Sequence, residues 1–196
     1  MSLQQYTRVI MKKEKTPEIV NAPLNKRMFA YLIDWYFGWI FTILPIAYYW
    51  NIKTGDLNIN TDLSKFSGND VYIAGLLGLL FAAIYFFLIP LCTKGQTMGK
   101  KLFRISIRDE QGQPLKWYKL ALRQIVFVMI LESSFMISGN LLAQLIGLSI
   151  DPIIGQLLTY CMMIGFLISL FTTIKYGKAL HDYIVSSKVI ELNKEA

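Results

Sequence analysis

The stretch NKRMFAYLIDWYFGWIFTILPIAYYW, from Asn25 to Trp50, decides the fold of this chain. Met28 to Trp50 is apolar apart from Asp34, and it meets the length of about 20 apolar helical residues that a bilayer core requires. A carboxylate at that depth costs free energy unless it faces protein or water and has a partner. Arg27, the nearest cation, lies on the same helical face but too far along the axis for direct contact. We therefore interpret Arg27 and Asp34 as members of a larger polar cluster at the basic end of the span.

The composition indicates a multi-pass membrane protein. Of the 196 residues, 54% are hydrophobic and 17% are charged, which is more apolar surface than a soluble domain of this length needs. The net charge of +7 comes from basic residues beside hydrophobic stretches. There they set topology and contact anionic lipid, so we expect membrane lipids and no nucleic acid as partners. Cys92 and Cys161 lack redox or zinc spacing and are expected to be free thiols.

Four apolar stretches predict four transmembrane helices, joined by polar loops with turn residues. Gly75 and Gly78 in the second stretch allow close packing against a neighbouring helix. Leu141 to Ile150 is too short to span, and it is expected either to extend a tilted third span or to form an interfacial helix. The predicted spans are Met28 to Trp50, Val71 to Leu91, Leu120 to Ser138 and Ile153 to Ile174.

The polar stretch between the second and third spans contains a strand signal. In KLFRISIR, residues 101–108, apolar and polar side chains alternate, which predicts a short β-ribbon or a strand at the membrane interface. Tyr183 to Leu192 alternates in the same way and is its candidate partner. The predicted fold is an all-α membrane protein of four transmembrane helices with a short cytoplasmic β-ribbon-like loop. Its parts are a basic arm at 1–24, a four-span domain at 25–192 and a tail at 193–196.

Lysine and arginine residues are concentrated in alternate loops. Six lie between residues 8 and 27, eight between 94 and 123, and four between 175 and 194, whereas the first intervening loop has two and the third loop has none. Because basic loops stay on the cytoplasmic side, this pattern predicts a cell-membrane protein with both termini cytoplasmic.

Several short motifs, in order along the chain, resemble the RDD family. Arg27 to Asp34 resembles the opening R-x-x-A-x-x-x-D signature, and Gln96 to Leu102 resembles the T-P-G-K-R-L loop with Met98 in place of proline. Further matches are Arg108 to Gly112 with the V-x-D-x-x-G stretch, Arg123 with the arginine entering the next helix, and Leu180-His181-Asp182 with the closing L-H-D. The resemblance implies that Arg27, Asp34 and Asp182 are the arginine and two aspartates of the family name. It also implies the cation/proton exchange that has been proposed for some members.

Six polar residues are candidates for a structural or functional cluster. The predicted topology places Arg27, Arg123 and Asp182 at the cytoplasmic interface, Asp34 one to two turns in, and Glu132 deeper in the third span. Two interpretations are open: a structural network that fixes helix register, or an ion or proton path with Asp34 as the titrating group. Glu132 favours the path if it is buried in the third span, but it also fits a position at the far interface. His181, the only histidine, is expected to be a hydrogen-bonded loop residue or a proton relay. The six residues are Arg27, Asp34, Arg123, Glu132, His181 and Asp182.

The sequence does not favour an enzyme. It contains no Ser/His/Asp set, metal-ligand cluster or phosphate-binding loop with supporting spacing, so we expect no catalytic residue, metal or cofactor. The leading hypothesis is a small transporter that exchanges a monovalent cation for protons. Because four spans are few for a carrier, we expect it to act as a homo-oligomer. The alternative is a non-catalytic subunit or regulator that binds another membrane protein through its glycine-bearing spans and basic loops, and a lipid-binding scaffold is the third hypothesis.

Overall fold

The computed structural model describes residues 20–134 and 136–192. Most of the predicted basic arm and the whole of the predicted tail, 193–196, lie outside the described residues. Within them the chain is mostly helical, with one two-stranded sheet. The helices are α1 (Leu24–Thr54), α2 (Asp70–Cys92), α3 (Met98–Leu102), α4 (117–131), α5 (Ile137–Ser149), α6 (Pro152–Tyr176) and α7 (Leu180–Ile184). The strands are β1 (Ile105–Asp109) and β2 (Ser187–Glu191).

Three of the described helices are long and apolar enough to cross a membrane: α1, α2 and α6. They correspond to the first, second and fourth predicted spans, and the prediction of apolar spanning helices is confirmed for these three. Two helices contain segments with π-type hydrogen bonding, Ile84–Leu88 within α2 and Leu122–Leu131, which forms most of α4.

The predicted third span, Leu120 to Ser138, is wrong as a single helix. The chain leaves helical geometry after Leu131 and resumes it at Ile137, so α4 and α5 are separate. Two local features account for the break. The Ser133 hydroxyl donates to the Ile130 carbonyl at 2.7 Å, a bond that competes with the helical pattern. Ser133 also packs so closely on Gly139 that a Cβ there would lie 2.0 Å from the serine Oγ.

Helices α4 and α5 pack in series along α6. A Cβ added to Gly165, near the middle of α6, would lie 2.4 Å from the Leu131 carbonyl oxygen at the end of α4. Nearer the start of α6, a Cβ on Gly155 would lie 3.0 Å from the Cα of Gly147 in α5. The break between α4 and α5 is therefore level with the middle of α6. Leu141 to Ile150, predicted as a separate short stretch, belongs for the most part to α5.

The close packing predicted for Gly75 and Gly78 is confirmed. A Cβ at Gly75 would lie 2.7 Å from Leu145 of α5, and one at Gly78 would lie 2.7 Å from Ile46 of α1. Both glycines thus pack inside the chain, against a buried apolar cluster that includes Ile46 and Leu145. Neither is available as a contact for a separate protein.

The predicted strand pairing is also confirmed. Strands β1 and β2 are antiparallel, with Ile107 opposite Val189, and Asn21 forms a bridge to Ile190 on the other side of β2. Ile105 and Ile107 are buried, because the sheet packs its apolar side against the first turns of α1 and α4, at one end of the helical bundle. We call this end of the molecule the sheet end. The sheet fixes the position of α7, which precedes β2 by two residues.

Candidate functional site: two buried polar clusters

Asp182 is the centre of the first cluster. Its side chain is 1% exposed, and Arg123 donates to its Oδ1 from Nε at 3.1 Å and from Nη2 at 3.0 Å. Arg27 donates to Oδ2 at 3.2 Å, and the Ser187 hydroxyl donates to Oδ1 at 2.7 Å. One carboxylate therefore joins the start of α1, the start of α4 and the beginning of β2. The second amino group of Arg123 donates to Gln124 at 3.1 Å.

The surroundings of Asp182 keep it ionised. Burial raises the pKa of this carboxyl, but the charges of Arg123, His181 and Arg27 outweigh burial, and the hydrogen bond from Ser187 acts with them. The result is a pKa well below the ordinary value for aspartate. Asp182 is thus a permanent anion between two guanidinium groups, which suits an anchor of the fold rather than a group that exchanges a proton.

Glu132 and His181 form the second part of this cluster. Nδ1 of His181 lies 2.8 Å from Oε2 of Glu132, and its Nε2 lies 3.7 Å from Oδ1 of Asp182. Both residues are buried. The other carboxylate oxygen of Glu132, Oε1, is buried and has no hydrogen-bond partner among the described residues. A buried carboxylate with one oxygen unpaired is costly in its charged form, which makes this pair the least satisfied of the buried charged groups.

Asp34 lies in a separate cluster. Its carboxylate is 2% exposed and receives hydrogen bonds on both oxygens from four groups. Tyr85 donates to Oδ1 at 2.9 Å, the backbone NH of Gly99 donates to Oδ1 at 2.8 Å, and Lys100 donates to Oδ2 at 2.9 Å. The Thr97 hydroxyl also donates to Oδ2. Asp34 thereby clamps the short helix α3 against α1, and its charge is compensated by Lys100.

The clamp requires a glycine at position 99. A Cβ there would lie 2.2 Å from the backbone carbonyl oxygen of Ala30, which cannot move without disturbing α1. We expect Gly99→Ala to destabilise the protein by about 1–3 kcal/mol, the usual range for forced overpacking. The measurement is the thermal stability of purified protein in detergent. Gly147→Ala is the control, because its Cβ would meet only Cα atoms at 3.7 Å. Equal melting temperatures for the two variants would contradict the clamp.

The structure brings five of the six predicted polar residues into one network: Arg27, Arg123, Glu132, His181 and Asp182. It places Asp34 elsewhere, so the interpretation that Arg27 and Asp34 belong to one polar cluster is wrong: Asp34 pairs with Lys100. Of the two positions left open for Glu132, the structure has the buried one, and His181 is its partner.

Six contributing residues were absent from the predicted set: Tyr85, Thr97, Gly99, Lys100, Gln124 and Ser187. The sequence did contain an indication of Lys100, because this residue belongs to the motif at 96–102. The structure shows that it forms the salt bridge with Asp34. Tyr85 and Gln124 lie in the segments with π-type hydrogen bonding, and no sequence pattern predicted these segments. Segments of this type are frequent at functional sites.

The family model of the RDD family matches residues 21–186. The chain belongs to the RDD family. No curated protein and no solved structure matches this chain significantly. In the structure of this RDD protein, the motif residues make two sets of contacts. Arg27 and Asp182 hold the sheet end together, and Asp34 with the loop at 97–100 clamps α3 to α1.

Proposed function

We propose that this RDD protein is a proton-coupled transporter of a monovalent cation and that the Glu132–His181 pair exchanges the proton. The observation that carries the proposal is the position of this pair. It is buried, it lies where α4 ends, and one oxygen of Glu132 has no partner among the described residues. Interrupted helices at the depth of the bilayer centre are common where carriers bind their ions. Ionisable residues inside a membrane are also candidates for functional sites, because burying them there costs free energy.

Either partner of the pair can hold a proton. With one proton it is an ion pair or a neutral pair, and these two forms differ only in where the proton sits. Its electrostatic neighbours are Tyr31 from α1 and, on the side of His181, Asp182 with its two arginines. Asp34 is a poorer candidate than the sequence suggested, because four donors, Lys100 among them, already occupy both oxygens of its carboxylate.

We further propose a four-span topology in which α4 and α5 together form a broken third span. Its support is the packing of these two helices, one after the other, along α6. The Lys and Arg distribution supports a cell-membrane location with the sheet end and both termini in the cytoplasm.

Single-cysteine labelling tests this topology. In a background without Cys92 and Cys161, a cysteine replacing exposed Gln111, beyond β1, is expected to be inaccessible to a membrane-impermeant maleimide from outside intact cells. A cysteine replacing exposed Ser67, in the loop before α2, is expected to react. Gln111→Cys that reacts from outside, or Ser67→Cys that reacts only after lysis, would contradict the orientation.

Flux through purified protein in vesicles tests the transport proposal. With an outward gradient of Na⁺, K⁺ or Li⁺, wild-type protein is expected to acidify the vesicle lumen, as read by an enclosed pH dye. Vesicles without protein, and protein-containing vesicles with the same salt concentration inside and outside, are the controls. The assay is repeated with an outward gradient of a quaternary ammonium chloride. If no lumenal pH change exceeds these controls for any of the three metal ions or for the quaternary ammonium ion, the transport proposal is wrong.

A second candidate is a non-catalytic subunit or regulator that binds another membrane protein. One observation favours it: α6 buries little of its surface, so that a 25-residue apolar helix is left mostly uncovered. Native mass spectrometry of protein extracted in nanodiscs tests it. A second protein species in a fixed ratio favours the subunit role, whereas a complex of identical chains fits an oligomeric carrier.

A further inference from the structure

A cavity of about 340 Å³ opens on the side of the bundle at the break between α4 and α5. Trp35 and Trp39 of α1 line it, together with Thr159 and Met162 of α6. Residues of the break line it as well, and among them Ser133 is fully buried. Asn140 of α5 also lines it. A bare metal ion would occupy a small fraction of this volume, which falls instead in the range of sites for organic ligands.

Two of the three hydroxyl groups that line this cavity, those of Ser133 and Thr159, are available as acceptors only. Ser133 donates its proton to the Ile130 carbonyl at 2.7 Å, and Thr159 donates its proton to the Gly155 carbonyl at 3.1 Å. Each oxygen keeps lone pairs but has no further proton to offer. Asn140 accepts from Gln144 at 3.3 Å through an oxygen that has a second lone pair. The oxygens of Ser133 and Thr159 therefore favour a ligand that donates hydrogen bonds or carries positive charge, while the amide NH2 of Asn140 and the hydroxyl of Ser134 can donate to it.

The aromatic lining favours the same kind of ligand. Tryptophan is the side chain that attracts cations most strongly through its ring face, and sites for alkylated ammonium groups are built from such rings. Two tryptophans line this cavity, and Trp39 is 41% exposed beside it.

We propose that this cavity is a binding site for an organic ammonium ion, which would be the cation that the protein exchanges for a proton. The inference rests on the proposed transport function and names the class of its substrate. Apolar groups of the ion would contact Met136, Ile137 and Met162, and its charge would lie between the two tryptophans and the oxygens of Ser133 and Thr159.

Binding of benzyltrimethylammonium to purified protein, followed by titration calorimetry in detergent, tests the site. The matched probe is neopentylbenzene, which has the same shape without the charge. We expect the ammonium ion to bind and the neutral probe to bind at least tenfold more weakly. Equal binding of both probes, or no binding of benzyltrimethylammonium, would overturn the proposal.

Variants then locate the site. Trp39→Leu is expected to weaken binding of the ammonium ion about 3- to 30-fold, the range for one cation–π contact. Trp117→Leu is its control, because Trp117 is exposed at the start of α4 and does not line the cavity. Thr159→Val removes an oxygen with little change of shape, and it is expected to weaken binding several-fold. Thr173→Val is the matched control, since its hydroxyl also bonds the carbonyl four residues earlier, at 2.7 Å from Ser169.

The outcomes separate this inference from the transport proposal. If Trp39→Leu and Thr159→Val bind as tightly as their controls, the cavity is not the site, whatever the vesicles show. If vesicles exchange Na⁺, K⁺ or Li⁺ for protons while no ammonium ion binds, transport stands and this inference fails. If the ammonium ion binds at the cavity but no cation gradient moves protons, the site stands and the transport proposal fails.

Discussion

Asp182→Asn is expected to destabilise the protein by about 3–5 kcal/mol, the cost of leaving buried charges without their partner. The carboxylate lies between Arg27 and Arg123, and its removal would leave two guanidinium groups at the sheet end facing a neutral amide. Thermal unfolding in detergent at pH 7 measures the loss. Glu110→Gln is the control, because the pair of Glu110 with Lys178 is partly exposed and such pairs contribute little. Similar losses for the two variants would contradict the assignment of Asp182 as the anchor.

The pH dependence of this difference has a definite sign. The pKa of Asp182 is lowered in the folded protein, so its charged form contributes stability above the ordinary aspartate value of 3.8. The gap between wild type and Asp182→Asn should stay constant from pH 7 down to about that value and narrow only in stronger acid. A gap that already closes between pH 7 and pH 5 would assign the effect to another group, of which His181 is the nearest.

A double-mutant cycle separates the two clusters. Arg123→Gln combined with Asp182→Asn should cost less than the sum of the single changes, because the two residues share a salt bridge. Arg123→Gln combined with Asp34→Asn should be additive, since Asp34 pairs with Lys100 instead. Coupling between Arg123 and Asp34 above about 0.5 kcal/mol would contradict the separation of the clusters.

Glu132→Gln is expected to abolish proton-coupled cation flux while the protein folds and inserts. Glutamine keeps the length of the side chain and a hydrogen bond to His181, but it cannot take up or release a proton. Vesicle flux and thermal stability are measured on the same preparation. Glu110→Gln, the same chemical change at an exposed site, should retain flux. Coupled flux that persists in Glu132→Gln would exclude this carboxyl as the proton carrier.

Local sequence patterns predicted most of the fold. Hydrophobic runs of sufficient length correctly located α1, α2 and α6, and alternation correctly located β1 and β2. Each of these signals repeats over many residues, so one or two exceptions do not erase it. Asp34 inside α1 is such an exception, and its cost is met by partners distant in the sequence.

The break between α4 and α5 was missed because it depends on few residues. Glu132 and Ser133 interrupt an apolar run only briefly, and the run alone fits a continuous span. The break becomes clear only when Ser133 is seen against Gly139 and Glu132 against His181, which is 49 residues away. Sequence separation also hid the contact of Lys100 with Asp34, which spans 66 residues.

The order and orientation of the spans did not determine which residues belong to which cluster. That depended on how far each side chain extends and how deep along its helix it lies. Orientation of the spans correctly suggested that Arg27, Arg123 and Asp182 meet at one end of the bundle. The orientation of the spans could not predict that α3 packs against α1, nor that Lys100 of α3 pairs with Asp34. A position one or two turns deeper was enough to give Asp34 a different set of neighbours.

Proton release on cation binding tests the central claim most directly. Unbuffered, detergent-purified protein is mixed with the chloride of Na⁺, K⁺, Li⁺ or benzyltrimethylammonium, and a soluble pH dye reports the protons released. For the cation that the protein binds, we predict release of about one proton per chain from wild type and none from Glu132→Gln. The account would be contradicted if wild-type protein bound a cation without releasing a proton, or if Glu132→Gln released as many protons as wild type.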